Sequence, residues 1–145
     1  MSFDVAVIGA GVFGAWTAYH LRVAGQRVAL LDAGGAGNSR ASSGGESRII
    51  RMGYGADEIY TRSAMRSLVL WNEFCSETHP ALFHQTGVLW TAADGDPYTQ
   101  LTRQTLARCG VPFEVLSPAE LRSRYRQMHF EPGAWGIFEP QSGAL

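Results

Sequence analysis

Arg48 and Arg51 stand close together in the segment SRIIRMGYG, directly after a stretch rich in glycine and serine. A guanidinium presents a planar fork of N–H donors that takes a carboxylate or phosphate through two parallel hydrogen bonds. The same two residues would also suit a surface ion pair, with Glu46 or Asp57 as the acid. What they bind therefore depends on what the preceding residues hold.

Three glycines and an acid form the second group of residues that could do chemistry. Gly9, Gly11 and Gly14 have the spacing GxGxxG, which allows a tight turn, a close approach to a pyrophosphate and packing of a helix on a strand. Asp32 follows about 20 residues later, where a carboxylate accepts ribose hydroxyls and repels the 2′-phosphate of NADP. The pattern predicts dinucleotide binding, and the alternative is a glycine-rich turn without a ligand.

A strand, a turn, a helix and a second strand are predicted to position these residues. Residues 3–9 form a short apolar run typical of a buried parallel strand. A glycine turn and a helix that stops at Gly25 follow, and residues 26–34 form the second strand. In such a right-handed βαβ unit the first helical N–H groups point at the phosphates of the ligand. The unit alone does not decide whether that ligand is FAD or NAD. Further residues predicted at the cofactor are Val12, Phe13 and Ala33.

The loop over residues 34–45 has one large side chain, Arg40, among small residues. A segment of this kind has spare backbone N–H groups and little bulk, so it is able to lie along a ligand. Ser42, Ser43 and Gly44 are therefore predicted at the cofactor, although a plain loop role suits the two serines nearly as well.

The sequence resembles the D-amino-acid oxidase superfamily, and within it the sarcosine oxidase and N-methyltryptophan oxidase branch, over all 145 residues. The resemblance rests on DVAVIGAGVFGAWTAYHL, the acid-ended strand, SRIIRMGYG, TGVLW and FEPQSGAL. It implies an α/β fold with a glutathione-reductase-type, Rossmann-like FAD-binding βαβ unit, followed by the start of a mixed-sheet substrate domain. It also implies FAD-dependent oxidation of the C–N bond of a secondary or N-methylated amino acid. Hydride would pass to the flavin, the imine would hydrolyse, and oxygen or another acceptor would reoxidise the flavin.

The resemblance assigns roles to the two arginines. The family's arginine at the position of Arg48 lies against the flavin, and the one at Arg51 pairs with the substrate carboxylate. A cation beside the flavin suits the negative charge that develops there on reduction. Tyr54 either lines the same pocket or is an ordinary buried tyrosine. Sarcosine oxidases carry histidines at the positions of Ser43 and Gly44, so the resemblance leaves the amine substrate open.

Composition limits the partners of the chain. A hydrophobic fraction of 46%, a charged fraction of 17% and a net charge of −1 give no case for a nucleic-acid or membrane partner. The apolar residues 5–21 lack the positive n-region of a signal peptide and are short for a membrane span, which favours the cytoplasm. Cys75 and Cys109 are predicted to be ordinary buried thiols, and no metal site is predicted.

Residues 1–80 are interpreted as the N-terminal part of an FAD-binding domain, and residues 81–145 as the start of an incomplete substrate-binding domain. Predicted elements are a helix over 56–77, a strand over 83–92, a helix from the N-cap Asp96 to before Gly110, a capping box from Ser117 to Glu120, and a strand over 134–140. The helix over 56–77 is expected to pack a stripe into the core: Tyr60, Ala64, Leu68, Trp71 and Cys75.

Two alternatives to an amine oxidoreductase remain, an NAD-linked dehydrogenase and a non-catalytic dinucleotide-binding module. Members of the family that the sequence resembles are much longer than 145 residues. The chain is therefore expected to be a fragment or a shortened protein that does not turn over amines by itself. It is also expected to self-associate, because its sheet would carry unpaired edges and exposed apolar surface.

Overall fold

The structure is a computed structural model that describes residues 2–78 and 82–145. Its elements in chain order are β1 (Val5–Ile8), α1 (Val12–Val23), β2 (Val28–Leu31), β3 (Ile49–Ile50), α2 (Glu58–Thr78), β4 (Val88–Ala92), α3 (Pro97–Cys109), β5 (Glu114–Leu116), α4 (Pro118–Arg124), β6 (Trp135–Glu139) and β7 (Gly143–Ala144). They divide into two compact units, Met1–Arg48 and Ile49–Leu145. The predicted domain boundary at residues 80 and 81 falls outside the described residues and stays a prediction.

The first unit is the predicted βαβ unit. β1 and β2 pair in parallel, with Val5 opposite Val28 and Ile8 opposite Leu31. α1 connects them and ends where the sequence predicts, because Gly25 takes a φ of 85° that a glycine adopts without steric cost. The apolar pattern and the glycine turn were therefore sufficient to predict this unit.

Much of the apolar surface of the first unit is uncovered. Within residues 2–48, only Ala18 belongs to the buried class. Ile8 is 87% exposed at the end of β1, and Phe13 is 88% exposed in the first turn of α1. Leu31 at the end of β2 is also exposed. The strands have the composition of buried strands, but this unit alone does not bury them.

Two helices of the second unit, α3 and α4, begin at the predicted caps, whereas α2 begins two residues later than predicted, at Glu58. The carboxylate of Asp96 accepts the N–H of Thr99 at 2.7 Å, and Pro97 opens α3. α3 ends at Gly110, whose φ of 70° closes the helix in the left-handed region. At α4, Ser117 and Glu120 form the full capping box, which confirms that prediction.

Two sheets and a core complete the second unit. β6 lies between β4 and β5, antiparallel to both, and β3 pairs antiparallel with β7. The predicted strand over 83–92 is shorter than expected, because only its second half pairs with β6 and His84 forms an isolated bridge to Ala144. The buried core of this unit consists of Ile50, Met52, Leu68, Leu106, Val111 and Ile137.

The core stripe predicted on α2 is right at four positions and wrong at one. Leu68 and Cys75 are buried, and Ala64 and Trp71 pack against the core. Tyr60 is 57% exposed, and the buried position in the first turn of α2 is Thr61 instead, whose Oγ1 donates to Met52 O at 2.9 Å. No helix in the described ranges is long and apolar enough to cross a membrane.

Candidate functional site

The glycine turn of the first unit has the geometry that its spacing predicts. Gly9 has a φ of 98°, which side chains rarely adopt, and its N–H donates to Leu31 O at 2.7 Å. A Cβ at Gly14 would overlap the carbonyl oxygen of Gly9, so only glycine lets α1 pack so closely on the turn. A Cβ at Gly11 would meet no atom within 4 Å, so the backbone here borders open space.

Asp32 connects the end of β2 to this turn. Its Oδ2 accepts the N–H of Ala10 at 2.7 Å, and its Oδ1 accepts the N–H of Gly34 at 2.7 Å. The amide of Asn38 donates to the same Oδ1 at 3.3 Å. The Ala10 and Gly34 N–H groups lower the pKa of Asp32 below the usual aspartate value, because they stabilise the ionised form. Asp32 is therefore an ionised, oriented acceptor, with part of its hydrogen-bonding capacity still available.

A cavity of about 630 Å³ lies over the turn, within the size range of small-molecule sites. Nine of the residues predicted at the cofactor line it: Gly9, Gly11, Val12, Phe13, Gly14, Asp32, Ala33, Ser42 and Ser43. Arg40 also lines it, and its guanidinium makes no ion pair among the described residues. An anionic diphosphate therefore has both a backbone turn and a cation available here.

The two other residues predicted at the cofactor are placed differently. Gly44 is not among the residues that line the cavity, and its N–H donates to Ala41 O at 2.9 Å. Arg48 folds back on its own loop, where its Nη1 donates to Ser47 O at 2.7 Å and its Nη2 to Ser42 O at 3.5 Å. The structure thus places Arg48 on the loop and outside the lining of the cavity.

Arg51 belongs to the second unit, where two aromatic rings hold it. Its guanidinium carbon lies 4.5 Å from the ring centroid of Trp90 and 4.7 Å from that of Tyr54. Its Nη1 donates to Gly53 O at 2.5 Å. The alternative of an ion pair with Glu46 or Asp57 does not occur in the part of the chain that the structure describes. Arg51 is half-buried, and most of its N–H donors remain available for a ligand.

A buried carboxylate that sequence reasoning missed binds two of the residues that hold Arg51. Glu139 is fully buried, and its two oxygens accept four hydrogen bonds, from Met52 N at 2.7 Å, Gly53 N at 3.0 Å, Trp90 Nε1 at 2.6 Å and Ser142 Oγ at 2.7 Å. The one signal in the sequence was a glutamate ending an apolar strand, in the motif FEPQSGAL. Three of its four donors come from two distant segments, which no local pattern connects.

The residues of the first unit fit the adenosine diphosphate half of a dinucleotide. Open space faces the Gly11 backbone, the turn at Gly9 requires glycine, and the ionised Asp32 lies at the edge of the cavity. A parallel βαβ unit with these features defines a dinucleotide-binding protein.

The chain belongs to the DAO family, described as FAD dependent oxidoreductase, whose family model matches residues 4–145. Membership confirms the predicted family, the α/β fold class, FAD as the cofactor and the oxidoreductase class. It also sets aside the NAD-linked alternative, which the βαβ unit alone had left open.

Individual relatives agree with this family. The N-methyl-L-tryptophan oxidases of Yersinia pestis (strain Pestoides F) and Yersinia pseudotuberculosis serotype O:1b (strain IP 31758) are each 30% identical over all 145 residues. The structure of NikD, described as an unusual amino acid oxidase essential for nikkomycin biosynthesis, is 26% identical with a TM-score of 0.78, covering 99% of this chain and 37% of that one. L-proline dehydrogenase from P. horikoshii, at 23% identity and a TM-score of 0.85, covers 99% of this chain and 38% of its own and shows likeness of fold alone. The chain spans 39% of the length of the two Yersinia relatives.

Proposed function

We propose that these residues are the N-terminal portion of an FAD-dependent oxidoreductase that oxidises the C–N bond of a secondary or N-methylated amino acid. The observation that carries this proposal is Arg51, held by two aromatic faces and one carbonyl while most of its N–H donors are available. The 30% identity with N-methyl-L-tryptophan oxidases over all 145 residues supports the substrate class. Bound FAD supplies the hydride acceptor for this oxidation.

The first unit binds the cofactor in this proposal. The glycine turn brings the N-terminus of α1 to the pyrophosphate, and Arg40 adds a positive charge to the same cavity lining. Asp32 accepts ribose hydroxyls through the acceptor capacity that Ala10 and Gly34 leave. Ser42 and Ser43 present a small surface along the ligand.

The second unit orients the substrate. Arg51 takes the amino-acid carboxylate through two parallel N–H donors, a geometry that fixes the direction of the bound molecule. The ring centroid of Tyr54 lies 4.7 Å from the guanidinium carbon, which supports a role for this residue in the substrate pocket. Arg48 serves the flavin by its positive charge, as the resemblance implies, after leaving its contacts with Ser47 and Ser42.

A carboxylate and its amide analogue test the substrate class. In an active enzyme that contains these residues, N-methylglycine should be oxidised far more efficiently than N-methylglycinamide, which lacks the charged group. Similar kcat/KM values for the two compounds would argue against the proposal. Failure of both compounds, with FAD bound, would favour the non-catalytic dinucleotide-binding alternative.

The 145 residues alone are proposed to self-associate and to be inactive with amines. Ile8 and Phe13 border the cavity and are almost fully exposed, and an apolar surface of this kind favours contact with another copy. A cavity open to water also weakens the effect of fixed charges. A monomer in sedimentation, or steady peroxide production, would contradict these two expectations respectively. The domain division at residue 80 and the cytoplasmic location also stay predictions.

A further inference from the structure

Glu139 is the one acidic side chain that is fully buried among the described residues, and it forms no ion pair there. A carboxylate removed from water is costly unless hydrogen bonds replace its hydration. Four donors do so here, at 2.6–3.0 Å. The other contacts of the four donor residues indicate what this buried carboxylate does.

Two of the four donors lead directly to Arg51. Gly53 donates its N–H to Glu139 Oε1 at 3.0 Å, and its carbonyl accepts Nη1 of Arg51. Trp90 donates its indole N–H to the same Oε1 at 2.6 Å, and its ring lies 4.5 Å from the guanidinium. The carboxylate is therefore connected to the cation by two separate bridges, one through the backbone and one through an aromatic ring.

The bridge through Trp90 is polarised in the direction that favours Arg51. A hydrogen bond to an anion moves electron density into the donor group, so an indole bonded to a carboxylate has a more negative face. A more negative face attracts a guanidinium more strongly. The bridge through Gly53 acts by position instead, because the bond from its N–H to Glu139 holds in place the residue whose carbonyl accepts Arg51.

Gly53 and Trp90, which form the two bridges, also pack closely against each other. A Cβ added at Gly53 would lie 2.9 Å from Trp90 Cε2 and 2.9 Å from Thr102 Cγ2. Only glycine therefore allows the backbone and the indole ring to lie side by side beneath Arg51. Glu139 is the group that both of them bind.

We infer that Glu139 is a positioning residue for Arg51, which acts through Trp90 and Gly53 to hold the guanidinium in the orientation that receives a carboxylate. The purpose of this arrangement rests on the proposed function, but its geometry does not. If Glu139 served folding alone, its loss would lower stability without selectively freeing Arg51.

Phenylglyoxal modifies arginine side chains, and peptide mass spectrometry locates the modified residues. The modification rate of Arg51 in the 145-residue chain measures how firmly its guanidinium is held. Glu139→Gln keeps the shape but places an amide NH₂ against N–H donors. Trp90→Phe keeps an aromatic ring and removes the indole N–H. Trp135→Phe is the matched control, because its indole N–H donates to Ala93 O, away from Arg51. Arg108, held by Thr105 and Glu58, is the internal standard for general loosening.

Glu139→Gln and Trp90→Phe are each expected to raise the modification rate of Arg51 roughly threefold to tenfold, the factor for one lost contact of this type. Arg108 in these variants, and Arg51 in Trp135→Phe, should keep the wild-type rate. If Glu139→Gln does not fold, the modification rate of Arg51 in Trp90→Phe tests the inference instead. An unchanged Arg51 rate, or an equal rise at Arg108, would overturn the inference.

N-methylglycine separates this inference from the proposed function. If it protects wild-type Arg51 against phenylglyoxal and N-methylglycinamide does not, the carboxylate role is supported. If neither compound protects while Glu139→Gln and Trp90→Phe still raise the Arg51 rate, the proposed role of Arg51 fails and the positioning by Glu139 stands.

Discussion

The carboxylate of Asp32 accepts the N–H of Ala10 at 2.7 Å, which connects the end of β2 to the glycine turn that follows β1. A residue predicted only as a ribose acceptor therefore also shapes the turn. Its second oxygen holds Gly34, where the loop towards the cavity lining begins. Asp32 thus links both backbone segments that a dinucleotide would contact.

Asp32→Asn should weaken binding of FAD and of ADP about tenfold or more, the scale of a lost charge-assisted hydrogen bond. The amide removes the negative charge and presents a donor to either Ala10 or Gly34. Isothermal titration with both nucleotides measures the effect. Asp4→Asn is the matched control, because Asp4 pairs with Arg27 and does not line the cavity. Equal affinities for Asp32→Asn and the wild type would remove Asp32 from the site.

Acid should loosen the first unit through Asp32. Hydrogen bonds from Ala10 and Gly34 lower the pKa of Asp32 in the folded state, so its contribution to stability is present above the unfolded pKa and is lost as pH falls through the folded pKa. The protection factors of the amides in β1 and β2, which correct for the pH dependence of intrinsic exchange, should therefore fall below about pH 4 in the wild type. Asp32→Asn should show a flatter dependence, whereas Asp96→Asn, at the N-cap of α3, should leave this dependence intact.

Substitutions at Gly14 and Gly11 should separate folding from cofactor binding. Gly14→Ala should cost about 1–3 kcal/mol, because its Cβ meets the Gly9 carbonyl, although alanine is the better helix former. Gly11→Ala should fold normally and bind FAD less well, because its Cβ enters the cavity. Thermal unfolding and FAD titration of both variants check the pair. Unfolding by Gly11→Ala, or normal stability of Gly14→Ala, would contradict the geometry.

Arg51→Lys should raise KM for an N-methyl amino acid roughly tenfold or more in an active enzyme that contains these residues. An ammonium is a point charge that offers no planar fork for the carboxylate and stacks less well on Trp90. KM for N-methylglycinamide should change much less. Arg66→Lys, on the exposed face of α2, is the control. Equal losses on the two substrates would exclude the carboxylate role.

Sequence reasoning predicted the parts of the fold that local patterns determine. The glycine spacing predicted the turn at Gly9 and the close packing at Gly14, and the Asp96 and Ser117 caps marked the two helices that they begin. The prediction for Tyr60 was wrong, because the apolar character of its side chain favoured it over the neighbouring Thr61, which is the buried residue of this turn and bonds to the Met52 carbonyl.

The rest depends on contacts that are distant in sequence. Glu139 collects donors from Met52, Gly53 and Trp90, which no periodicity connects. The short pair β3 and β7 joins Ile49–Ile50 to Gly143–Ala144 and is too short to give a pattern. The resemblance predicted Arg51 as a ligand group, but the rings that hold it were visible only in three dimensions.

The most direct test of the account is a fluorescence titration of the purified 145-residue chain with FAD. Because the cavity of the first unit is matched to adenosine diphosphate, FAD should bind saturably, ADP should displace it, and riboflavin should not. Gly11→Val should abolish the binding while far-ultraviolet circular dichroism stays unchanged. An absence of saturable FAD binding by the folded chain, or undiminished binding by Gly11→Val, would contradict the assignment of this cavity to the cofactor.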